Sequence, residues 1–162
     1  MSDIDSSLFD EAFLKKVQFQ LDKFNSYLSK ISQQLYGEKY GLSYDIVRNK
    51  KTNKNIYKFS ITTYDSDTVN FSSGKKQGEI TCFDMAYILF ADSENIPCMH
   101  FGLYDKKELM HDNQLVETAN FVNQNSNLQF VASILWDKLP EELREDKYFV
   151  VKLSPTDKLF RF

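Results

Sequence analysis

The sequence predicts an α/β chain tending to α+β: a long helix, a β-hairpin, and then βαβ elements in a mixed sheet. Three observations lead there. Apolar residues first recur at steps of three and four. Two short segments then alternate apolar with polar side chains. Finally, short apolar runs are separated by helical patterns, which is how parallel strands and their crossovers are written.

The first stripe is Phe9, Phe13, Val17, Leu21, Phe24, Leu28, Ile31 and Leu35, one face of a single helix. Asp5, Ser6 and Ser7 offer an N-cap, and Gly37 falls where a C-cap glycine belongs. The stripe suits either a core helix or one that projects and pairs as a coiled coil. Tyr40, Leu42, Tyr44 and Ile46 alternate with polar residues, as do Tyr57, Phe59 and Ile61; the Lys/Asn-rich stretch between them predicts a hairpin turn. Ser72-Ser73-Gly74 then opens a turn before an apolar helix at about Glu79–Ala91. A strand around Met99–Tyr104, a helix over about Asp112–Asn123 and a strand over Leu128–Leu135 complete the strand–helix–strand unit. A last strand is expected at Tyr148–Leu153. The expected division is 1–38, a helix forming the stub of a coiled-coil arm, and 39–162, the globular lobe.

Composition limits the function classes. With 42% hydrophobic residues and 15% aromatics, 162 residues form a core and not a disordered chain. A net charge of −3 argues against a surface that is basic all over, and the cluster Arg48–Lys54 reads as a solvated turn. Cys82 and Cys98 are the only cysteines, with no CxxC and no His–Cys spacing suited to zinc; free thiols are expected. No apolar run is long enough to span a bilayer, and the acidic start Met1-Ser2-Asp3-Ile4-Asp5 is unlike a signal peptide, so a cytoplasmic protein is expected.

The chemistry concentrates at two places. Met99–Tyr104 runs into Asp105, an acid at the carboxyl end of an expected parallel strand, where open α/β sheets place their ligands and where a carboxylate can hold Mg²⁺. Alone, Asp105 reads more readily as a turn cap than as a metal ligand, and Asp112 as an ordinary N-cap. Ser72-Ser73-Gly74-Lys75-Lys76-Gln77-Gly78-Glu79 is a small-residue turn entering a helix, whose backbone N–H groups can form an anion site.

Taken in order, these pieces resemble the second lobe of an SMC/ABC-type ATPase head. The resemblance implies a signature-like loop at Ser72, Ser73, Gly74 and Glu79, which would cap ATP bound to an opposed subunit. It implies a Walker B-like Asp105 supporting Mg²⁺ through water, and a D-loop-like Asp112 followed by Asn113. Gln129-Phe130-Val131 matches the start of the next strand. A closer resemblance is to a bacterial domain of unknown function at the C-termini of coiled-coil SMC-like ATPases. It rests on Leu35-Tyr36-Gly37-Glu38, Asp137-Lys138-Leu139-Pro140 and the terminal Leu159-Phe160-Arg161-Phe162, and covers about Phe24–Phe162.

The departures are specific. Lys106 stands where that family has the Glu that polarises water, with Glu108 offset from the position, and Leu135 stands where it has a switch His. His100 and His111 are offset from that place and read as structural. No Gly-x-x-x-x-Gly-Lys-Ser/Thr occurs, so the phosphate cradle has to come from elsewhere. The expectation is a C-terminal head lobe, excised or separately encoded, that takes ATP and Mg²⁺ only with a Walker A-bearing partner lobe. The isolated chain should bind neither. A homodimer through the head or long helix, and DNA as a substrate in repair or phage defence, follow from the resemblance; a membrane does not. Two other readings stay open: a non-catalytic interaction module, and a metal-dependent nuclease using Asp105, Glu108 and Asp112.

Overall fold

The computed structural model describes residues 9–64, 73–107 and 110–157. Helix α1 spans Glu11–Tyr36. Its N-cap is Asp10, whose side chain accepts a 2.7 Å hydrogen bond from the Phe13 N–H; the caps expected at Asp5–Ser7 lie outside the described residues. The C-cap is as expected: Gly37 takes φ 68°, the left-handed conformation that glycine adopts without a Cβ penalty.

Strand β1 (Tyr40–Arg48) pairs antiparallel with β2 (Asn55–Thr63), from Tyr40↔Thr63 to Arg48↔Asn55. The basic cluster forms the turn between them, with Asn53 at φ 56°. Helix α2 spans Ser73–Ser93, starting six residues earlier than its apolar pattern suggests. Strand β3 (Phe101–Tyr104), helix α3 (Asp112–Gln124) and strand β4 (Gln129–Ala132) form the predicted βαβ unit, with β3 and β4 parallel in the register Phe101↔Gln129 to Tyr104↔Ala132.

Two details differ from expectation. The two strand pairs form separate two-stranded ladders among the described residues rather than one mixed sheet. The stretch expected as a last strand, Tyr148–Leu153, is irregular: it leaves the last of a series of 3₁₀ turns, Trp136–Lys138, Glu141–Leu143 and Asp146–Tyr148, and runs to an isolated bridge at Ser154↔Asp157. Alternation alone does not make a strand: Val150 is 85% exposed, and no described strand offers its segment a ladder.

The core lies between α1 and α2. Phe24, Leu28, Ile31 and Leu35 pack against Cys82, Met85, Ala86 and Ile88, closed by Tyr40, Phe121 and Leu128. The first half of the α1 stripe is less covered: Phe13 and Val17 are half-buried. Two polar residues of α1 fasten the hairpin to it. Asn25 gives and takes hydrogen bonds with the Leu42 backbone (2.8 and 2.7 Å), and the Ser32 hydroxyl accepts the Tyr40 N–H at 2.8 Å. Gly78 lets the two helices approach: a Cβ there would lie 2.5 Å from the Tyr36 ring.

Candidate functional site at the carboxyl end of the parallel pair

Asp105 follows β3 directly and is exposed. The Ser133 hydroxyl, one residue past the end of β4, donates to Asp105 Oδ1 at 2.7 Å and accepts the Lys106 N–H at 3.0 Å. A carboxylate and a hydroxyl thus stand side by side at the carboxyl ends of two parallel strands. Both are hard oxygen donors of the kind Mg²⁺ takes, with substrate phosphates and water completing its shell.

The chain then turns sharply. Lys106 sits at φ 56°, a left-handed conformation that costs a non-glycine residue roughly 1 kcal/mol. Its carbonyl accepts the Gln77 side-chain amide at 3.0 Å. The turn drives Lys107 into the protein, where it is only 3% exposed. Lys107 Nζ donates to the Thr81 hydroxyl at 2.8 Å and the Gln77 carbonyl at 3.3 Å, and lies 4.3 Å from the centre of the Tyr104 ring. Burial pulls its pKa below the ordinary lysine value, opposed by the charges of Asp84 and then Cys82. Burial also raises Asp84, against the Tyr104 hydroxyl bonded to it and the charge of Lys107. Tyr104 and Cys82 are pushed up by burial as well.

Sequence reasoning missed this lysine. The signal available was faint: a Lys two residues past an apolar strand, with Asp84 and Thr81 three apart on one helix face.

The remaining predicted residues spread along α2 and α3. Ser73 is the first residue of α2 and Gly74 the second, while Ser72 lies outside the described residues, as does Glu108. The start of α2 carries no acid, and Lys75 and Lys76 occupy it, the unfavourable charge for a helix N-terminus. Lys75 pairs with Glu38 at 2.7 Å. Glu79 is buried one turn on; its Oε1 has no hydrogen-bond partner among the described residues, and desolvation raises its pKa while Lys75 lowers it.

Gln77 and Thr81 therefore join the first turns of α2 to the Asp105–Lys107 turn. Asp112 stands apart: it is exposed in the first turn of α3, whose N-cap His111 makes a capping box with Gln114. Asp112 is thus the first helical residue and not the N-cap it was expected to be, and no hydrogen bond links it to Asp105 among the described residues.

Fold and site define the class: a mixed α/β lobe with an acid at the open carboxyl end of a two-stranded parallel ladder. The chain belongs to the DUF2326 family, uncharacterised proteins conserved in bacteria, whose model matches residues 31–162. It is weakly similar to a chain in a crystal structure of the SmcHead bound to the C-winged helix domain of ScpA, with 18% identity and a TM-score of 0.46. The similarity covers 84% of this chain and 41% of that one, so this chain spans less than half the length of its structural neighbour. No curated protein matches it. No described helix is long and apolar enough to cross a membrane.

Proposed function

We propose that the chain is the C-terminal lobe of an SMC-like ATPase head, supplying the magnesium side and the signature-like helix of an ATP site whose Walker A cradle belongs to another lobe. The observation that carries this reading is the unfinished parallel ladder. Parallel sheets are normally covered on both faces, yet β3–β4 has two strands with neither outer edge paired among the described residues. Its outward side chains Phe101, Leu103 and Val131 are exposed, Leu103 by 70%. A lobe that continues this sheet would cover that apolar face and bring its own loops to Asp105.

Two further features support the reading. Asp105 and Ser133 are the donors a Mg²⁺–phosphate would need from this side. The first turn of α2 holds Lys75, paired with Glu38, and Lys76 but no acid of its own, a helix start that an opposed anionic phosphate would suit. Work on DNA, in repair or phage defence, is the role the resemblance implies.

Hydrolysis needs a positioned water as well as charge neutralisation, and Lys106 turns the position after Asp105 away from that task. This favours one alternative, a non-catalytic module that docks on its partner without turnover. Size-exclusion chromatography with a separately expressed Walker A-bearing lobe, with and without ATP and Mg²⁺, tests the proposal. Expected is association that strengthens with ATP and is lost in Leu103→Asp, a folded variant by circular dichroism. Association indifferent to ATP would favour the docking module; no association would overturn the head-lobe reading.

A further inference from the structure

At the opposite end of β3 from Asp105, three potential metal ligands converge. Asp92 lies in the last turn of α2, Cys98 and His100 in the segment leading into β3, and one ligand atom from each lies within 4.8 Å of the others. His100 Nε2 is 2.7 Å from Asp92 Oδ1. Sequence spacing gave no zinc pattern; the fold makes one by folding the end of a helix back on the strand after it. Cys98 and His100 are two apart on extended chain, so they share a face, and both are half-buried while Met99 between them is 74% exposed.

The turn that brings them together is fixed from several sides. Asn95 adopts φ 55° and closes α2 with a paired cap, Ile96 N–H to Ala91 C=O at 2.8 Å and Asn95 N–H to Asp92 C=O at 3.2 Å. Glu94 is held by Lys23 and Gln20 of α1. Pro97 restricts the next step of the chain. The His100 carbonyl is tied to β4 by the Gln129 N–H at 2.8 Å. A site built on such a frame loses little ordering entropy when it binds.

We infer that Asp92, Cys98 and His100 form a three-ligand site for a transition-metal ion, with Zn²⁺ as the ion its donors suit best. One thiolate, one imidazole and one carboxylate are the borderline set Zn²⁺ takes, and bonds of roughly 2.0–2.3 Å place donors about 3.3–3.7 Å apart. The present groups, all within 4.8 Å of one another, lie near that spacing. The carboxylate lies at the negative end of the α2 dipole, which favours a cation. Three protein ligands leave the fourth position for water or a group from a partner. The site is separate from the proposed nucleotide side and does not depend on it. Among the described residues, His100 and Asp92 hydrogen-bond to one another and Cys98 packs against the edge of the core.

The test uses the full chain, purified without a polyhistidine tag and stripped with chelator. Zn²⁺ is titrated against a chromogenic competitor, and Co²⁺ is added to a parallel sample and followed by absorption. Expected are one Zn²⁺ per chain and a near-ultraviolet thiolate-to-cobalt charge-transfer band. Cys98→Ser should abolish the band. His100→Gln and Asp92→Asn should each weaken Zn²⁺ binding more than about tenfold, and His111→Asn should leave it unchanged. Substoichiometric zinc in the wild type, a cobalt spectrum lacking the thiolate band, or zinc affinity unchanged in Cys98→Ser would each overturn the site. The wild-type cobalt spectrum decides the matter even if a variant does not fold.

Discussion

Lys107 and Asp105 are two residues apart, and the structure assigns them opposite energetic roles. Truncating Lys107 to Ala removes three buried methylenes, worth about 0.8 kcal/mol each, and two hydrogen bonds from a cation to the Thr81 hydroxyl and the Gln77 carbonyl. Thr81 keeps its own bond to the Gln77 carbonyl at 2.9 Å, so the polar loss is about 1–2 kcal/mol rather than a full orphaning penalty. Lys107→Ala should therefore cost about 4 kcal/mol. Lys107→Met, which keeps the stem, should cost about 1–2 kcal/mol. Asp105→Ala removes one exposed carboxylate and a single hydroxyl contact, and should cost at most about 1 kcal/mol. Urea unfolding followed by circular dichroism measures all three. The pH dependence adds a signature. Because burial depresses the folded pKa of Lys107, the unfolded chain holds more protons between that value and the ordinary lysine pKa, so this residue's contribution rises with pH across that window and is lost as pH falls through it. Lys107→Met should lack that alkaline gain. Equal losses in Lys107→Ala and Asp105→Ala would refute the assignment of the lysine to structure and the acid to the site.

Three more outcomes are expected. Gly78→Ala should destabilise the protein, although Gly→Ala inside a helix ordinarily stabilises it by about 1 kcal/mol, because the new methyl meets the Tyr36 ring; thermal melting gives the sign. Glu79→Gln should stabilise the protein at neutral pH. Its folded pKa is raised, so the wild type is relatively most stable below the ordinary Glu pKa and loses that advantage as pH rises through the folded value; the two proteins should converge in acid, as denaturation at a series of pH values will show. Asn25→Ala should cost about 1–3 kcal/mol by taking the Asn25 amide away from both backbone polar groups of Leu42, and hydrogen exchange at the start of β1 should accelerate with it.

The fold was legible wherever period and burial coincide. The α1 stripe from Leu21 to Leu35 is the buried face, the β1–β2 alternation gave the hairpin, and the apolar runs on either side of Asp112–Gln124 gave the parallel pair. Period failed at Tyr148–Leu153, whose apolar residues read as a strand but have no strand beside them among the described residues. The start of α2 was hidden for a different reason: Ser73–Gly78 has polar and small residues that a pattern search reads as loop, and its helical state comes from tertiary partners such as Gln77 on the Lys106 carbonyl.

The site was half legible because two kinds of information are mixed in it. That an acid ends a strand can be read from order along the chain, and Asp105 sits there. Whether the next two residues face solvent or core depends on one backbone angle, and sequence does not carry it. At Lys106 φ is 56°; this single turn points Lys107 inward and fastens the Asp105 segment to α2 through Gln77 and Thr81. A turn bonded at Lys106 N–H, Lys106 C=O and Lys107 Nζ cannot rearrange without breaking contacts in α2 and at Ser133, just past β4, together. Replacing Lys106 by Gly, which adopts that angle freely, should thus leave the geometry of Asp105 intact. Replacing it by Val, which resists the angle through its branched Cβ, should cost roughly 1–3 kcal/mol and loosen the Asp105–Ser133 pair. Equal stability of the Gly and Val variants in urea would mean that the turn is held by something other than its backbone.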